Sequence, residues 1–130
     1  PNKGIQYIYK VENPETILML DRSQIEQVLI NLLKNASEAC LEQICPEVIV
    51  STHGDPEKHL LFLSVCDNGS GILPEVLDKI FVPFFTTKPT GSGIGLSICK
   101  QIMNLHGGSI SVSSEIGKGS CFTLKFLCHG

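Results

Sequence analysis

Apolar and polar positions change period several times along this chain, and each change marks a boundary between elements. Ile5 to Val11 alternate, Glu12-Asn13-Pro14-Glu15 has turn chemistry, and Ile17-Leu18-Met19-Leu20 is a short apolar run, so the spacing predicts a β-hairpin. Asp21 is a good N-cap. After it Ile25, Val28, Leu29, Leu32, Ala36, Ala39 and Cys40 recur at helical spacing and stop before Pro46, which predicts a long helix. Val48 to Thr52 and Leu60 to Cys66 are β-rich runs on either side of the polar turn 53–58, a second hairpin whose later strand ends at Asp67. Pro74 opens a short helix through Leu77 toward Ile80 and Phe81, and an irregular stretch runs from Val82 to Ser92. Ile94, Ile98, Ile102 and Leu105 mark the inner face of another helix, closed by Gly107-Gly108. Two strands, Ser109 to Ser114 and Ser120 to Leu127, then flank the turn 115–119.

Composition narrows the class. At 130 residues, 42% hydrophobic and 18% charged, the chain fits one domain with a two-layer core. A net charge of -3 and the lack of any Lys/Arg run argue against nucleic acid and against direct membrane contact. No apolar run approaches the length of a membrane span, and Pro1-Asn2-Lys3-Gly4 does not open a signal peptide, so the expected location is cytoplasmic, including the cytosolic end of an anchored sensor. The six cysteines form no CxxC pair and fall mostly in apolar segments, where reduced core thiols are expected.

Three segments carry candidate chemistry. Asn31 and Asn35 are four apart and share a helical face within an apolar stretch, where an amide must find partners. They are either satisfied structural amides or groups aimed at phosphates and a cation such as magnesium, which takes few protein ligands. Asp67 ends an apolar strand and runs into Asn68-Gly69-Ser70-Gly71, which is either ordinary turn chemistry or a carboxylate placed to accept from a purine amine. Gly91-Ser92-Gly93-Ile94-Gly95 opens a helix, where free N–H groups and the helix dipole favour phosphate. Its spacing is not G-x-G-x-x-G, and Gly117-Lys118 is followed by Gly119 rather than Ser or Thr, so neither a Rossmann turn nor a P-loop is present. Between the clusters, Phe81-Val82-Pro83-Phe84-Phe85-Thr86-Thr87-Lys88 reads as a closing lid or docking face, with Phe81 and Phe84 alternatively plugging the core. The four histidines have no metal-ligand spacing; His106 suits a helix C-terminus.

In this order the segments resemble the four boxes of the catalytic and ATP-binding domain of sensor histidine kinases, in the superfamily shared with gyrase and the heat-shock ATPase chaperones. Asn31-Leu32-Leu33-Lys34-Asn35-Ala36 resembles the N box, Asp67 to Ile72 the first glycine box, Phe81 to Phe85 the F box and Gly91 to Leu96 the second glycine box. His106-Gly107-Gly108 and Gly117 to Phe122 resemble the family's C-terminal hairpin. The resemblance covers nearly the whole chain, treats residues 1–130 as one domain, and implies an α/β (α+β) two-layer sandwich. In it a mixed, mostly antiparallel sheet of about five strands is covered on one face by three α-helices. It implies ATP and Mg2+ as cofactors. Asp67 would bind adenine N6, Gly69 and Gly71 would line the base pocket, and Asn35 would hold the metal while Asn31 helps bind phosphate. Gly91, Gly93 and Gly95 would let the lid wrap the phosphates, and Ile72, Leu96 and Phe122 would give apolar support. Phe84 and Lys88 lie on the lid side.

Two departures refine the resemblance. Hydrolytic branches of the superfamily carry a water-activating Glu where this chain has Asn31, which favours phosphoryl transfer over hydrolysis. Many histidine kinases have a cation where this chain has Glu38, so Lys34 and Lys88 are expected to supply the charge. The implied acceptor is a histidine on a separate dimerisation domain, with a response-regulator receiver domain downstream; none of the four histidines is followed by an acid as that acceptor usually is. The chain by itself is expected to be a monomer that binds Mg-ATP and labels itself little. An anti-sigma-type serine kinase, a gyrase-type ATPase and a non-catalytic interaction module stay open as alternatives.

Overall fold

The computed structural model describes residues 4–11, 20–85 and 95–128. Among them are five strands and three helices: β1 (Gln6–Lys10), α1 (Arg22–Cys40), β2 (Glu47–Asp55), β3 (Leu60–Asp67), α2 (Pro74–Leu77), α3 (Gly95–Leu105), β4 (Ser109–Glu115) and β5 (Gly119–Leu127). One sheet holds the strands in the order β1-β2-β3-β5-β4. β1 runs parallel to β2, and the other three pairings are antiparallel, so the sheet is mixed as expected.

The helices cover one face. Buried Ile25, Val28, Leu32, Ala36 and Cys40 form the inner stripe of α1, which meets Val48, Val65, Phe122, Leu124 and Phe126 from the sheet. Each fully buried aliphatic side chain of this kind stabilises the fold by about 1.5–3 kcal/mol. Asp21 caps α1, its Oδ1 accepting the Gln24 N–H at 3.0 Å. Tyr7 of β1 reaches the helix through its hydroxyl, 2.7 Å from Ser37 Oγ. α3 ends in a Schellman-type turn: Gly107 has φ +73° and the Gly108 N–H donates to Met103 O at 3.0 Å.

Three expectations are corrected or bounded. The first hairpin has its return arm largely in residues 12–19, outside the described residues, and the described partner of β1 is β2, in parallel. In α3, Ile98 and Ile102 pack inward as expected and Ile94 lies outside the described residues, but Cys99 and Met103 complete the inner stripe and Leu105 is exposed, because the helix is rotated toward the Cys99 side to meet α1. Cys66 and Cys121 are joined in a disulfide rather than held as free thiols: they face each other across β3 and β5 with Cα atoms 4.0 Å apart, on the sheet face away from the helices. Cys40 and Cys99 are the free, buried thiols expected of the core.

Candidate nucleotide site

Across the helix-facing side of the sheet, residues line up in rows. Leu63, Leu124 and Ile110 form one, and Val65, Phe122 and Val112 the next. The row after these is polar: Asp67 of β3 lies opposite Ser120 of β5, which lies opposite Ser114 of β4. An apolar face that turns polar at one end is where a ligand with a hydrogen-bonding edge fits.

Asp67 is 9% exposed. Burial pushes its carboxyl above the ordinary range, against the pull of the Gly69 and Ser120 backbone N–H groups, which favour the charged form. The Gly69 N–H donates to Asp67 Oδ1 at 2.8 Å. No lysine, arginine or histidine among the described residues forms an ion pair with it. A charge-bearing oxygen is thus held by backbone alone, in a place that costs free energy, as binding sites do.

The loop after Asp67 is shaped from three sides. Asn68 bridges to the strand entry, its Oδ1 accepting the Glu47 N–H at 2.9 Å and its Nδ2 donating to Cys45 O at 2.8 Å. A Cβ on Gly69 would press into the Ala39 carbonyl of α1. Gly71 has φ +87°, and a Cβ there would lie 2.5 Å from Glu115 O in the β4–β5 turn. That turn is stitched to the loop: the Gly117 N–H donates to Ser70 O at 2.8 Å and the Ile72 N–H to Ser114 Oγ at 2.7 Å.

α1 connects this loop to the start of α3. Its Ala39 backbone touches the Gly69 position, and eight residues back, about 12 Å along the helix, Asn31 Nδ2 donates to Gly95 O at 3.2 Å and approaches Cys99 Sγ at 3.7 Å. Asn35 lies one turn on from Asn31, half-buried, and Lys34 is exposed. Leu96 and Ile72 are partly buried against the core. Lys88, Gly91 and Gly93 lie outside the described residues.

The F-box segment divides. Phe81 packs edge-on against Phe122, with ring centroids 6.4 Å apart at 87°, and Lys100 Nζ sits 5.7 Å from its centroid. Phe84 is instead 77% exposed, with φ 68°, which is uncommon for a bulky side chain. Next to it a cavity of about 420 Å³ is lined by Phe81, Pro83, Ser97, Lys100, Gln101, Asn104 and Leu105. His106 is tied down at both ring nitrogens, Nε2 accepting the Asp21 N–H at 3.0 Å and Nδ1 lying 2.9 Å from Ile102 O. It pins the end of α3 to the start of α1.

Sequence reasoning missed Asn68, Ser114 and Ser120. The available signal was the pair of serines bracketing the turn 115–119, each at the loop end of an alternating strand.

Residues 20–129 match the family described as histidine kinase-, DNA gyrase B-, and HSP90-like ATPase. The chain belongs to that family. It is 39% identical over 123 residues to sensor histidine kinase ZraS of Escherichia coli (strain K12), covering 95% of this chain and 26% of that protein. It is 36% identical over 120 residues to sensor protein FixL of Bradyrhizobium diazoefficiens, covering 92% and 24%. Among solved structures, the catalytic domain of histidine kinase ThkA superposes with a TM-score of 0.84 at 35% identity, covering 95% of this chain and 79% of that one. Full-length ShkA in complex with AMPPNP superposes with a TM-score of 0.84 at 27% identity, covering 98% and 27%. The fold is therefore that of histidine kinase catalytic domains, and the chain spans about a quarter of the length of these curated relatives.

Proposed function

We propose that this chain binds Mg-ATP and donates its γ-phosphate to a histidine on a separate dimerisation domain of a two-component sensor kinase. The observation that carries the reading is the buried, backbone-held Asp67 carboxylate at the polar end of the sheet. It accepts from the adenine 6-amino group, and the Gly69–Ile72 loop lines the base. α1 then leads to the phosphates at the Asn31–Gly95 end, where α3 begins and the positive end of its dipole favours an anion.

The residues present fit such a ligand. Asn35 would hold magnesium through its side-chain oxygen, and the metal would supply charge neutralisation on the transferring group. Asn31 orients the start of α3 and adds an amide donor at the phosphate end; Lys34, with Lys88 and the glycines Gly91 and Gly93, contributes charge and backbone N–H groups. Catalysis by this chain is positioning and charge stabilisation, because the Asn31 amide cannot take a proton from water as a carboxylate in its place would. His106, the histidine at the C-terminus of α3, is not free to act as the acceptor, since both ring nitrogens are engaged.

Calorimetric titration of ATP and ADP, with and without magnesium, tests this in wild type and in Asp67→Ala, Asn35→Ala and Lys34→Ala. Expected are magnesium-dependent ATP binding, its loss in Asp67→Ala, loss of the magnesium effect in Asn35→Ala, and weaker ATP binding in Lys34→Ala. A wild type that binds neither nucleotide overturns the reading in favour of an interaction module.

A further inference from the structure

We propose that Ser114 is a positioning residue that sets the base specificity of the site, by holding the Ser120 hydroxyl as a hydrogen-bond acceptor beside the Asp67 carboxylate. The proposal rests on the nucleotide reading above and adds to it a preference for 6-amino over 6-oxo purines, assigned to a residue one strand removed from the base.

The available protons fix the direction of each hydrogen bond. A serine hydroxyl has one proton and two lone pairs. Ser114 Oγ lies 2.7 Å from Ile72 N, 2.8 Å from Ser120 Oγ and 3.2 Å from Gly119 O. The Ile72 N–H donates and so occupies one lone pair. Gly119 O can only accept, so the Ser114 proton goes to it. The remaining lone pair then receives the proton of Ser120. This is the orientation that satisfies all three contacts together; if Ser114 instead donated to Ser120, its contact with Gly119 O would have no hydrogen in it.

The consequence falls on Ser120. With its proton committed to Ser114, its oxygen offers lone pairs, and it is 5% exposed on the same sheet face as Asp67, in register with it. Carboxylate and hydroxyl together make a floor of acceptors. A 6-amino group has two hydrogens to give such a floor, whereas a 6-oxo group brings a third acceptor, and an unpaired buried acceptor is costly. Ser114 itself is separated from Asp67 by β5, so it acts through Ser120.

The test compares affinities for ATP and inosine triphosphate, which differ at the 6-position and carry the same phosphates. Wild type, Ser114→Ala, Ser114→Cys, Ser114→Thr and the Ser114→Ala/Ser120→Ala pair with its Ser120→Ala parent are titrated after a melt confirms folding. Cys keeps the volume and weakens each hydrogen bond, so it carries the test if the Ala variant fails to fold. A role confined to bracing the Ile72 backbone would weaken both nucleotides alike and leave their ratio unmoved. Expected is a fall of about tenfold in the ATP-to-inosine triphosphate ratio for Ala and Cys, recovery in Thr, and no further fall when Ser114→Ala is added to Ser120→Ala. An unchanged ratio in the folded Ala or Cys variant overturns the proposal while ATP binding by wild type upholds the nucleotide site; failure of wild type to bind ATP overturns both.

Discussion

At the scale of single residues, Asp67 carries the most consequence. Burial raises its carboxyl above the ordinary value, so its contribution to stability is present below the unfolded pKa of 3.8 and is lost as pH rises through the folded one. Once ionised, the side chain therefore subtracts from stability. An amine that donates to it favours the charged form and recovers part of that loss, which links binding to protonation. ATP affinity is expected to weaken as pH falls from neutral through the folded-state pKa of Asp67. A purine riboside triphosphate, with the same phosphates and no 6-amino group, should lack this component. Melting-temperature shifts with each ligand across that range check it, and parallel profiles for the two would remove Asp67 from contact with the amine.

At the scale of elements, the β4–β5 turn acts as a brace for the Gly69–Ile72 loop, through the hydrogen bonds from Gly117 and Ile72. Two glycines separate conformational strain from steric pressure. Gly117 has φ +86° with nothing within 4 Å of an added Cβ, so Gly117→Ala should cost about 1 kcal/mol. Gly71 has nearly the same φ but sits against Glu115, so Gly71→Ala should cost on the order of 2–4 kcal/mol and also weaken nucleotide binding. Urea denaturation of the two variants measures both; equal midpoints would show that the loop does not rest on the turn. The same elements show what could be read from the chain and what could not. α1 was legible because its stripe from Ile25 to Cys40 keeps one period along a helix of 19 residues that begins after a capping Asp. The antiparallel pairs β2–β3 and β4–β5 were legible because a short polar turn joins each. The parallel docking of β1 on β2 was not, since nothing local records which edge a strand will find. The Cys66–Cys121 bond was hidden for the same reason: 55 residues separate the two, and sheet register alone brings them together. Within the site, Asp67, Gly69 and Gly71 stood out as residue types with few structural alternatives, whereas Ser114 and Ser120 look like ordinary strand serines until the register aligns them with Asp67.

At the scale of the molecule, the chain spans about a quarter of the length of relatives that are sensor kinases, and the proposed acceptor histidine belongs to another domain, so the proposed reaction needs a second surface. We place it on the F-box segment. Phe84 is 77% exposed and held at φ 68°, beside a cavity lined by Phe81, Pro83 and α3 residues including Lys100 and Leu105. A bulky apolar residue kept in a strained conformation and turned to solvent is retained at a cost of about 1–3 kcal/mol, which points to a use outside the fold. Phe84→Asn tests what that use is, because Asn tolerates this backbone region and removes the apolar surface. On the docking reading, the variant should melt at the same or a higher temperature and bind ATP as wild type does. Transfer of label from γ-labelled ATP to a separately added two-helix acceptor domain should fall about tenfold, the effect of losing about 1.4 kcal/mol at an interface. Neither protein should label itself appreciably without the acceptor. Loss of ATP affinity would instead place Phe84 on the nucleotide lid, and a lower melting temperature would return it to the core.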